Sequence, residues 1–238
     1  MQLIVIGSNS SGNGYILQAD NGDQLLIEAG RPLSDFRRIG GLKLASAKGM
    51  IISHEHGDHA KYIGDFLKAG VSVGSTESLH DRFKPVKALK HGKSYRYGSF
   101  TVTPFTVKHD VPCLGYLIYH KECGTVFFAT DCYDLSVEIH GIKHFLMEAN
   151  YQDDMLQKAV ELGKTPQAQA DRVRLSHMSL SNAVAWLKRC DAEDSAHTIT
   201  LIHTSMRHLS AGNAVKTMER YFSTPTFVAA KGTTINLL

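Results

Sequence analysis

Short apolar runs separated by Gly, Asn and Asp make up the first half of the chain. This pattern is typical of β-strands joined by turns, and the longer segments between the runs predict helices. The predicted strands are Leu3–Ile6, Tyr15–Gln18, Gln24–Ile27, Met50–Ile52 and Val71–Val73. The predicted helices are Ser34–Ile39, Lys61–Ala69, which Gly70 ends, and Glu77–Phe83.

Residues 94–130 return to strands, and the rest of the chain alternates strands with helices. The predicted strands are Ser94–Tyr97, Phe100–Val107, Leu114–Tyr119, Thr125–Ala129, Phe145–Met147, Thr198–Ile202, Thr226–Ala229 and Thr233–Leu237. The predicted helices are Asp153–Leu162, Ser179–Cys190 with Ser179 or Ser181 as its N-cap, and Ala211–Phe222. Strand-rich halves with interspersed helices predict an α/β fold of two packed sheets covered by helices. No linker or repeat interrupts the pattern, so we expect residues 1–238 to form one domain.

Composition adds few constraints. The chain is 43% hydrophobic and 21% charged, which is enough for a core, and its net charge of +3 permits an anionic substrate without requiring one. Four irregularly spaced cysteines predict buried, reduced thiols, and for Cys113 and Cys132 we favour packing over metal ligation. No signal peptide or membrane-length apolar run is visible, so we expect a cytoplasmic protein without a membrane partner.

A histidine-rich segment, Ser53–His59, directly follows one of the apolar strands and carries the densest chemistry in the chain. It places three imidazoles and two carboxylates, those of Glu55 and Asp58, on the turn that joins the strand to the next helix. Imidazole and carboxylate are the usual nitrogen and oxygen ligands of zinc and similar ions. There, His54 and His56 can point at one ion, while Asp58 and His59 can reach a second. The alternative is a solvated loop, but chance rarely spaces four ligands in this way.

The spacing His-x-His-x-Asp-His resembles the motif of the metallo-β-lactamase-fold hydrolases. This resemblance implies a four-layered αβ/βα sandwich and further ligands at the ends of later strands. The implied sets are His54, His56 and His109 on one ion, Asp58, His59 and His203 on the other, and Asp131 between them. A strand-end cap is the alternative for Asp131. We expect the two divalent ions to be Zn²⁺, with Mn²⁺ or Fe as alternatives, holding a hydroxide between them for hydrolysis.

One residue departs from the pattern of that superfamily. Its members usually carry an Asp at the end of an early strand, and this Asp orients the metal loop without binding the metal. Here the corresponding residue is Glu28, which follows Ile27. Glu has one methylene group more than Asp, so the sequence leaves open whether the Glu28 carboxylate meets a histidine N–H. Glu28 is therefore predicted to support the ligands and not to be one of them.

Glu148 and His177 resemble a pair found in ribonuclease Z-like members of the superfamily. In those proteins a Glu after a strand orients a His at a turn that opens a helix. The resemblance implies that His177, held by Glu148, protonates the leaving oxygen. It also implies that backbone N–H groups at the start of helix Ser179–Cys190 could receive a phosphate. The alternative is that His177 is a helix-start histidine without a partner.

The loop Gly7–Gly14 resembles the N-terminal loop of the YycJ/WalJ-like branch, a ribonuclease Z-related group described as DNA exonucleases. The similarity covers nearly the whole chain, including the metal loop, the His109-Asp110 pair and the segments around Glu148, His177 and His203. It implies that Ser11 contacts the substrate.

Two further residues are predicted substrate contacts. Ribonuclease Z-like members carry an Arg four positions after the last metal histidine, and Arg207 stands there, where it could clamp a phosphate. A surface salt bridge is the competing interpretation for Arg207. Asn150 is the second contact. The spaced lysines Lys84, Lys87, Lys90 and Lys93 are typical of a solvated face more than of a nucleic-acid track.

These features together favour a two-metal phosphodiesterase or nuclease that acts on DNA or RNA, and a homodimer is one expected assembly. Asp58, Glu148 and His177 are the predicted catalytic residues. The first alternative is a small-molecule hydrolase acting on a cyclic phosphodiester, lactone or thioester. The second is a metal-binding module without turnover, against which the full ligand set argues.

Overall fold

Two sheets and nine helices make up the computed structural model, which describes residues 1–238. The strands are β1 (Gln2–Gly7), β2 (Gly14–Gln18), β3 (Gln24–Ile27), β4 (Ala47–Ile51), β5 (Val73–Ser75), β6 (Lys87–Ala88), β7 (Tyr95–Tyr97), β8 (Phe100–Val107), β9 (Cys113–His120), β10 (Gly124–Ala129), β11 (His144–Glu148), β12 (Thr198–Ile202), β13 (Thr226–Val228) and β14 (Thr234–Asn236). The helices are α1 (Leu33–Gly40), α2 (Gly57–Ala60), α3 (Ile63–Lys68), α4 (Glu77–Arg82), α5 (Asp153–Glu161), α6 (Gln167–Ser176), α7 (Leu180–Arg189), α8 (Ala192–Ser195) and α9 (Ala211–Phe222).

The two sheets share one plan. The first has the strand order β14-β1-β2-β3-β4-β5-β6 and the second β13-β12-β11-β10-β9-β8-β7. In the first sheet the pairs from β14 to β3 are antiparallel and the pairs from β3 to β6 are parallel. The second sheet repeats this from β7, with antiparallel pairs to β10 and parallel pairs to β13. Strand β3 therefore corresponds to β10, and β4 to β11.

Three large apolar clusters separate the layers. The cluster between the sheets draws side chains from both of them, including Leu3, Ile27, Tyr116 and Phe128. A second cluster packs the helices of the first half on the outer face of their sheet through Phe36, Phe66 and Leu79. A third packs α7 and α9 on the other sheet through Trp186, Met218 and Phe222. The order helix, sheet, sheet, helix is the predicted four-layered sandwich, with each sheet buried on both faces.

Helix α6 is the main element that the sequence pattern did not predict. Only Ala170 of this helix is fully buried, and Leu175 is 71% exposed, so its apolar residues leave no clear helical stripe. Pro166 stands directly before the helix, a position that suits proline because a helix start needs no N–H donor there. The helix after the metal loop also differs from the prediction, since α2 begins at Gly57 and α3 follows as a separate helix.

All four cysteines are buried free thiols, as their spacing indicated. No helix in the structure combines the length and the apolar character needed to cross a membrane.

Candidate metal centre

The carboxyl ends of parallel strands bring the predicted site residues together. Strand β4 leads into the metal loop, and β10, β11 and β12 lead to Asp131, Glu148 and His203. Glu148 pairs with Ile202 in register, so the two strands end side by side. Parallel strands all present their carboxyl ends at one edge of a sheet, which is where α/β proteins place ligands.

Three residues at these strand ends have left-handed backbones. The φ angles are 64° at Glu28, 50° at Asp131 and 51° at His203. Non-glycine residues rarely adopt this region, and a backbone held there is concentrated at functional sites. Glu28 is the first residue after β3, and Asp131 is the second residue after β10. Both halves of the fold therefore place a buried carboxylate in a left-handed conformation just beyond corresponding strands.

The first ligand group consists of His54, His56, His109 and Asp131, whose donor atoms lie within 4.8 Å of one another. The ring centroid of His54 is 4.7 Å from that of His56 and also 4.7 Å from that of His109. The Nε2 atom of His54 is 3.4 Å from Oδ2 of Asp131. The structure thus brings together all members of the first predicted set.

The second ligand group consists of Asp58, His59, Asp131 and His203, again within 4.8 Å. His59 Nε2 is 3.1 Å from Oδ2 of Asp131, and His203 Nε2 is 3.2 Å from Oδ2 of Asp58. Asp131 belongs to both groups, which is the place of a carboxylate that bridges two ions.

Two histidines of the first ligand group carry a buried nitrogen without a hydrogen-bond partner. These atoms are Nε2 of His54 and Nδ1 of His109. Buried polar atoms in proteins are nearly always paired, so unpaired imidazole nitrogens inside a ligand cluster need an explanation. Nitrogen and carboxylate donors in this combination suit zinc and similar divalent ions. The residues present therefore fit a two-metal centre.

The charges of the second group are strongly coupled. Burial alone would lower the pKa of His59 and His203, but the surrounding carboxylates, with Asp131 the largest contributor, together raise both pKa values well above the usual range. Burial would raise the pKa of Asp58 and of Asp131, yet the same two imidazoles lower both. Because a metal-bound imidazole is neutral, ion binding here releases these protons.

Glu28 reaches the metal loop despite its extra methylene group. Its Oε1 atom accepts a hydrogen bond from the backbone N–H of Ser53 at 3.2 Å, and Oε2 is 3.5 Å from Nδ1 of His59. The hydroxyl of Ser53 in turn contacts Nδ1 of His54 at 2.9 Å. These contacts direct the remaining nitrogen of each histidine, Nε2, towards the cluster.

Glu148 and His177 are in contact, with 2.7 Å between Oε1 and Nδ1. The same oxygen lies 2.9 Å from Nδ1 of His203, a contact that sequence reasoning missed. Its other oxygen accepts hydrogen bonds from the backbone N–H groups of Cys132 and Met178. One buried carboxylate therefore fixes both a proposed acid and a proposed ligand. Burial would lower the pKa of His177, but the charge of Glu148 and its hydrogen bond raise it.

Three backbone N–H groups near His177 are already paired, which does not favour the expected phosphate site at the helix start. His177 caps the C-terminus of α6, and α7 begins at Leu180. The backbone N–H of His177 donates to the carbonyl of Val173, and that of Leu180 donates to the carbonyl of Tyr151. The N–H of Met178 donates to Glu148. The phosphate site itself stays a prediction.

A buried polar network joins the N-terminal loop to both halves of the centre, and sequence reasoning missed it. Ser8 Oγ accepts a hydrogen bond from the backbone N–H of His203 at 2.9 Å and contacts the Tyr15 hydroxyl at 2.8 Å. The Asn13 amide lies 3.1 Å from Nε2 of His59 and donates to the carbonyl of Asp58 at 3.3 Å. The sequence feature that could have indicated this network is the polar Ser- and Asn-containing loop between two apolar strands. The residues that the loop contacts, however, lie far away in sequence.

The Ser8 contact makes a testable prediction. Ser8→Ala leaves a buried N–H of His203 unpaired and loosens its left-handed backbone, so we expect metal affinity to fall about 10-fold to 100-fold. Thr200→Val is the control, because that hydroxyl is buried on β12 without a partner. Competition with a chromogenic chelator measures the affinity. Equal affinities of the two variants would contradict the role of Ser8.

The remaining predicted substrate contacts line one large cleft over the ligand groups. Its volume is about 990 Å³, and only Val173 and Met206 of its lining residues are hydrophobic. Arg207 lies on its wall, exposed and without an ion pair, so the salt-bridge interpretation does not hold. Ser11 also lines it, with its hydroxyl donating to Asn9. The amide of Asn150 lines the cleft but donates to the carbonyl of His203, which favours a supporting role.

Two ligand groups that share one carboxylate, at the edge of two stacked sheets, define a metallo-hydrolase architecture. A sequence model of the family described as "Beta-lactamase superfamily domain" matches residues 27–204, most of the chain. The chain belongs to this superfamily, and its fold is the metallo-β-lactamase fold.

Individual relatives agree with this assignment. Exodeoxyribonuclease YycJ of Bacillus anthracis is 24% identical over 239 residues, which cover 91% of this chain and 85% of that protein. YhfI of Bacillus subtilis, a metallo-β-lactamase fold protein, has a TM-score of 0.76 at 21% identity and covers 98% of both chains. The short form of human tRNase Z has a TM-score of 0.70 at 16% identity, with 100% of both chains covered. The resemblance to the YycJ-like branch is confirmed, and the two solved structures confirm the fold.

Proposed function

We propose that this protein is a two-metal phosphodiesterase that cleaves DNA or RNA. The observation that carries the proposal is the contact between Glu148 and His177 directly beside the ligand groups. His177 Nδ1 is held by Glu148 and lies 3.8 Å from Oδ1 of Asp131, so the acid and the shared ligand face one space. Lactam or thioester hydrolysis does not require a carboxylate-oriented imidazole there. Cleavage of a phosphodiester with a poor leaving group does.

The proposed ligands are the two groups described above, with Zn²⁺ as the expected ion. When bound, two divalent ions would supply an activated water molecule and offset the charge that develops on the phosphoryl group. Asp131 is placed to hold both ions at a fixed separation. Asp58 and His59 complete one position together with His203, whose backbone and side chain are fixed by Ser8 and Glu148.

His177 is proposed to act on the leaving group. His177 lines the cleft, and because Glu148 occupies its Nδ1, the proton to be donated is the one on Nε2. Burial would raise the pKa of Glu148, but the charge of His177 and the hydrogen bonds from His177 and His203 lower it. The hydrogen bonds from Cys132 and Met178 fix the orientation of the carboxylate. This holds the imidazole ring in place while the proton moves to the departing oxygen.

The cleft itself favours a polar, anionic substrate. Its lining is almost free of hydrophobic side chains, and its volume is about 990 Å³. The sequence similarity to an exodeoxyribonuclease supports a nucleic acid over a small cyclic diester. The lysines Lys84, Lys87, Lys90 and Lys93 are absent from the lining, which agrees with a solvated face.

A substrate panel tests the proposal. Protein loaded with Zn²⁺ or Mn²⁺ should hydrolyse bis-p-nitrophenyl phosphate and shorten single-stranded DNA or RNA, and a chelator should abolish both reactions. A thioester and a lactone complete the panel. Turnover of either of these without cleavage of any phosphodiester would replace the proposal with a small-molecule hydrolase.

A further inference from the structure

Helix α6 forms one wall of the cleft. Ala170 anchors it by packing with Tyr151 and Leu156, and Val173 packs against the same small cluster. From this helix Gln169, Arg172, Val173 and Ser176 line the cleft. The helix ends at His177, the proposed acid, so it extends the site on the side of the leaving group.

Arg172 is free to bind an anion, whereas its neighbour is not. Arg174, two residues further on, donates to Asp171 at 3.2 Å and to Gln157 at 3.2 Å. Asp171 is the carboxylate nearest in sequence, and these contacts occupy it. Arg172 is exposed, lines the cleft and takes part in no ion pair or hydrogen bond through its guanidinium group. The helix also carries no acidic residue in its first turn.

A second free guanidinium group lines the same cleft. Arg207 belongs to the loop after His203, and His208 connects this loop to the segment before α6. Nε2 of His208 contacts the Thr165 hydroxyl at 3.0 Å, and its Nδ1 contacts the Ser205 hydroxyl at 3.4 Å. His208 is buried, so this connection lies inside the protein. Two arginines without an ion pair therefore add positive charge to the lining of the cleft.

We propose that Arg172 and Arg207 form a second phosphate subsite, which binds a phosphate of the leaving fragment next to the scissile one. The proposal rests on the proposed phosphodiesterase function and specifies its substrate class as a nucleotide chain with a further or terminal phosphate. The planar guanidinium group donates two parallel hydrogen bonds to phosphate oxygens, which gives both affinity and orientation. A lone diester, lactone or thioester has no group for this subsite.

The test compares dinucleotides that differ by one phosphate. Thymidylyl-thymidine is used without a terminal phosphate, with a 5′-phosphate and with a 3′-phosphate, and kcat/KM is measured for each. The protein should prefer one phosphorylated form. In Arg172→Ala and in Arg207→Ala that preference should fall about 10-fold to 100-fold, the loss expected for a charge-assisted hydrogen bond. Arg174→Ala, on the same helix but off the cleft, should retain the preference.

A binding measurement separates this proposal from the proposed function. Fluorescently labelled oligothymidylate, with and without the preferred terminal phosphate, is titrated in the presence of a chelator and followed by anisotropy. Tighter binding of the phosphorylated form that depends on Arg172, without cleavage after metal loading, would overturn the proposed function and keep the subsite. Equal behaviour of Arg172→Ala and Arg174→Ala in both assays, or equal losses on both kinds of dinucleotide, would overturn the subsite.

Discussion

Asp131→Asn should remove both metal ions and nearly all activity. The carboxylate belongs to both ligand groups, with Oδ2 3.4 Å from Nε2 of His54 and 3.1 Å from Nε2 of His59. An amide carries no charge and offers one acceptor oxygen in place of two. We expect the affinity for both ions to fall at least about 100-fold and the rate about 1000-fold or more, since bound ions supply several kcal/mol of charge stabilisation.

Asparagine is the informative substitution because of the backbone. Asp131 has φ at 50°, a conformation that Asn tolerates better than other residues do, so the variant changes the charge without disturbing the turn. Asp134→Asn serves as the control, because Asp134 follows closely in sequence and faces only Lys108 at 3.8 Å. Metal content after dialysis, measured by plasma emission spectroscopy, shows whether Asp131→Asn has lost both ions. Full occupancy of both ions in Asp131→Asn would mean that this carboxylate is not the shared ligand.

The ligand residues could be predicted because they match a known motif and stand near strand ends. His54, His56, Asp58 and His59 form one short motif, Asp131 lies two residues after β10, and His203 directly follows β12. Parallel pairing places these strand ends side by side. The pattern of apolar residues predicted two packed sheets with helices, whereas the four-layered sandwich and the full ligand set were implied by the resemblance to the metallo-β-lactamase-fold hydrolases. The metal-binding role of these residues is still a proposal, which the dialysis experiment tests.

The supporting contacts could not be predicted, because they join residues far apart along the chain. Glu148 contacts His203 across 55 positions, and Ser8 contacts it across 195. The residues around Glu148 and around Ser8 in the sequence do not indicate that His203 is their partner. Arg172 could not be predicted for a different reason. A charged side chain can bind a substrate anion only when no neighbouring residue of opposite charge pairs with it. The contact of Arg174 with Asp171, which leaves Arg172 free, is visible only in three dimensions.

His177→Ala should keep both ions and lose about 100-fold to 10,000-fold in rate on DNA or RNA, the range for a general acid. The residue contacts Glu148 at 2.7 Å, and its nearest proposed ligand atom is Oδ1 of Asp131 at 3.8 Å. Loss of the ring leaves Glu148 with its contact to His203 and its two backbone donors, so the ligand groups should persist. Metal content should therefore match that of His140→Ala, an exposed histidine paired with Asp191.

The choice of leaving group distinguishes an acid from a structural residue. Bis-p-nitrophenyl phosphate releases a stable phenolate that needs no proton, whereas a nucleotide releases a sugar hydroxyl that does. His177→Ala should therefore lose far less rate on the nitrophenyl ester than on the oligonucleotide, because only the second reaction requires proton donation. Equal losses on both substrates, with the metals retained, would show that His177 organises the cleft without donating the proton. His177 also has a donor atom within 4.8 Å of donor atoms of Asp131, Glu148 and His203, so loss of metal would instead show that His177 is a ligand together with these residues.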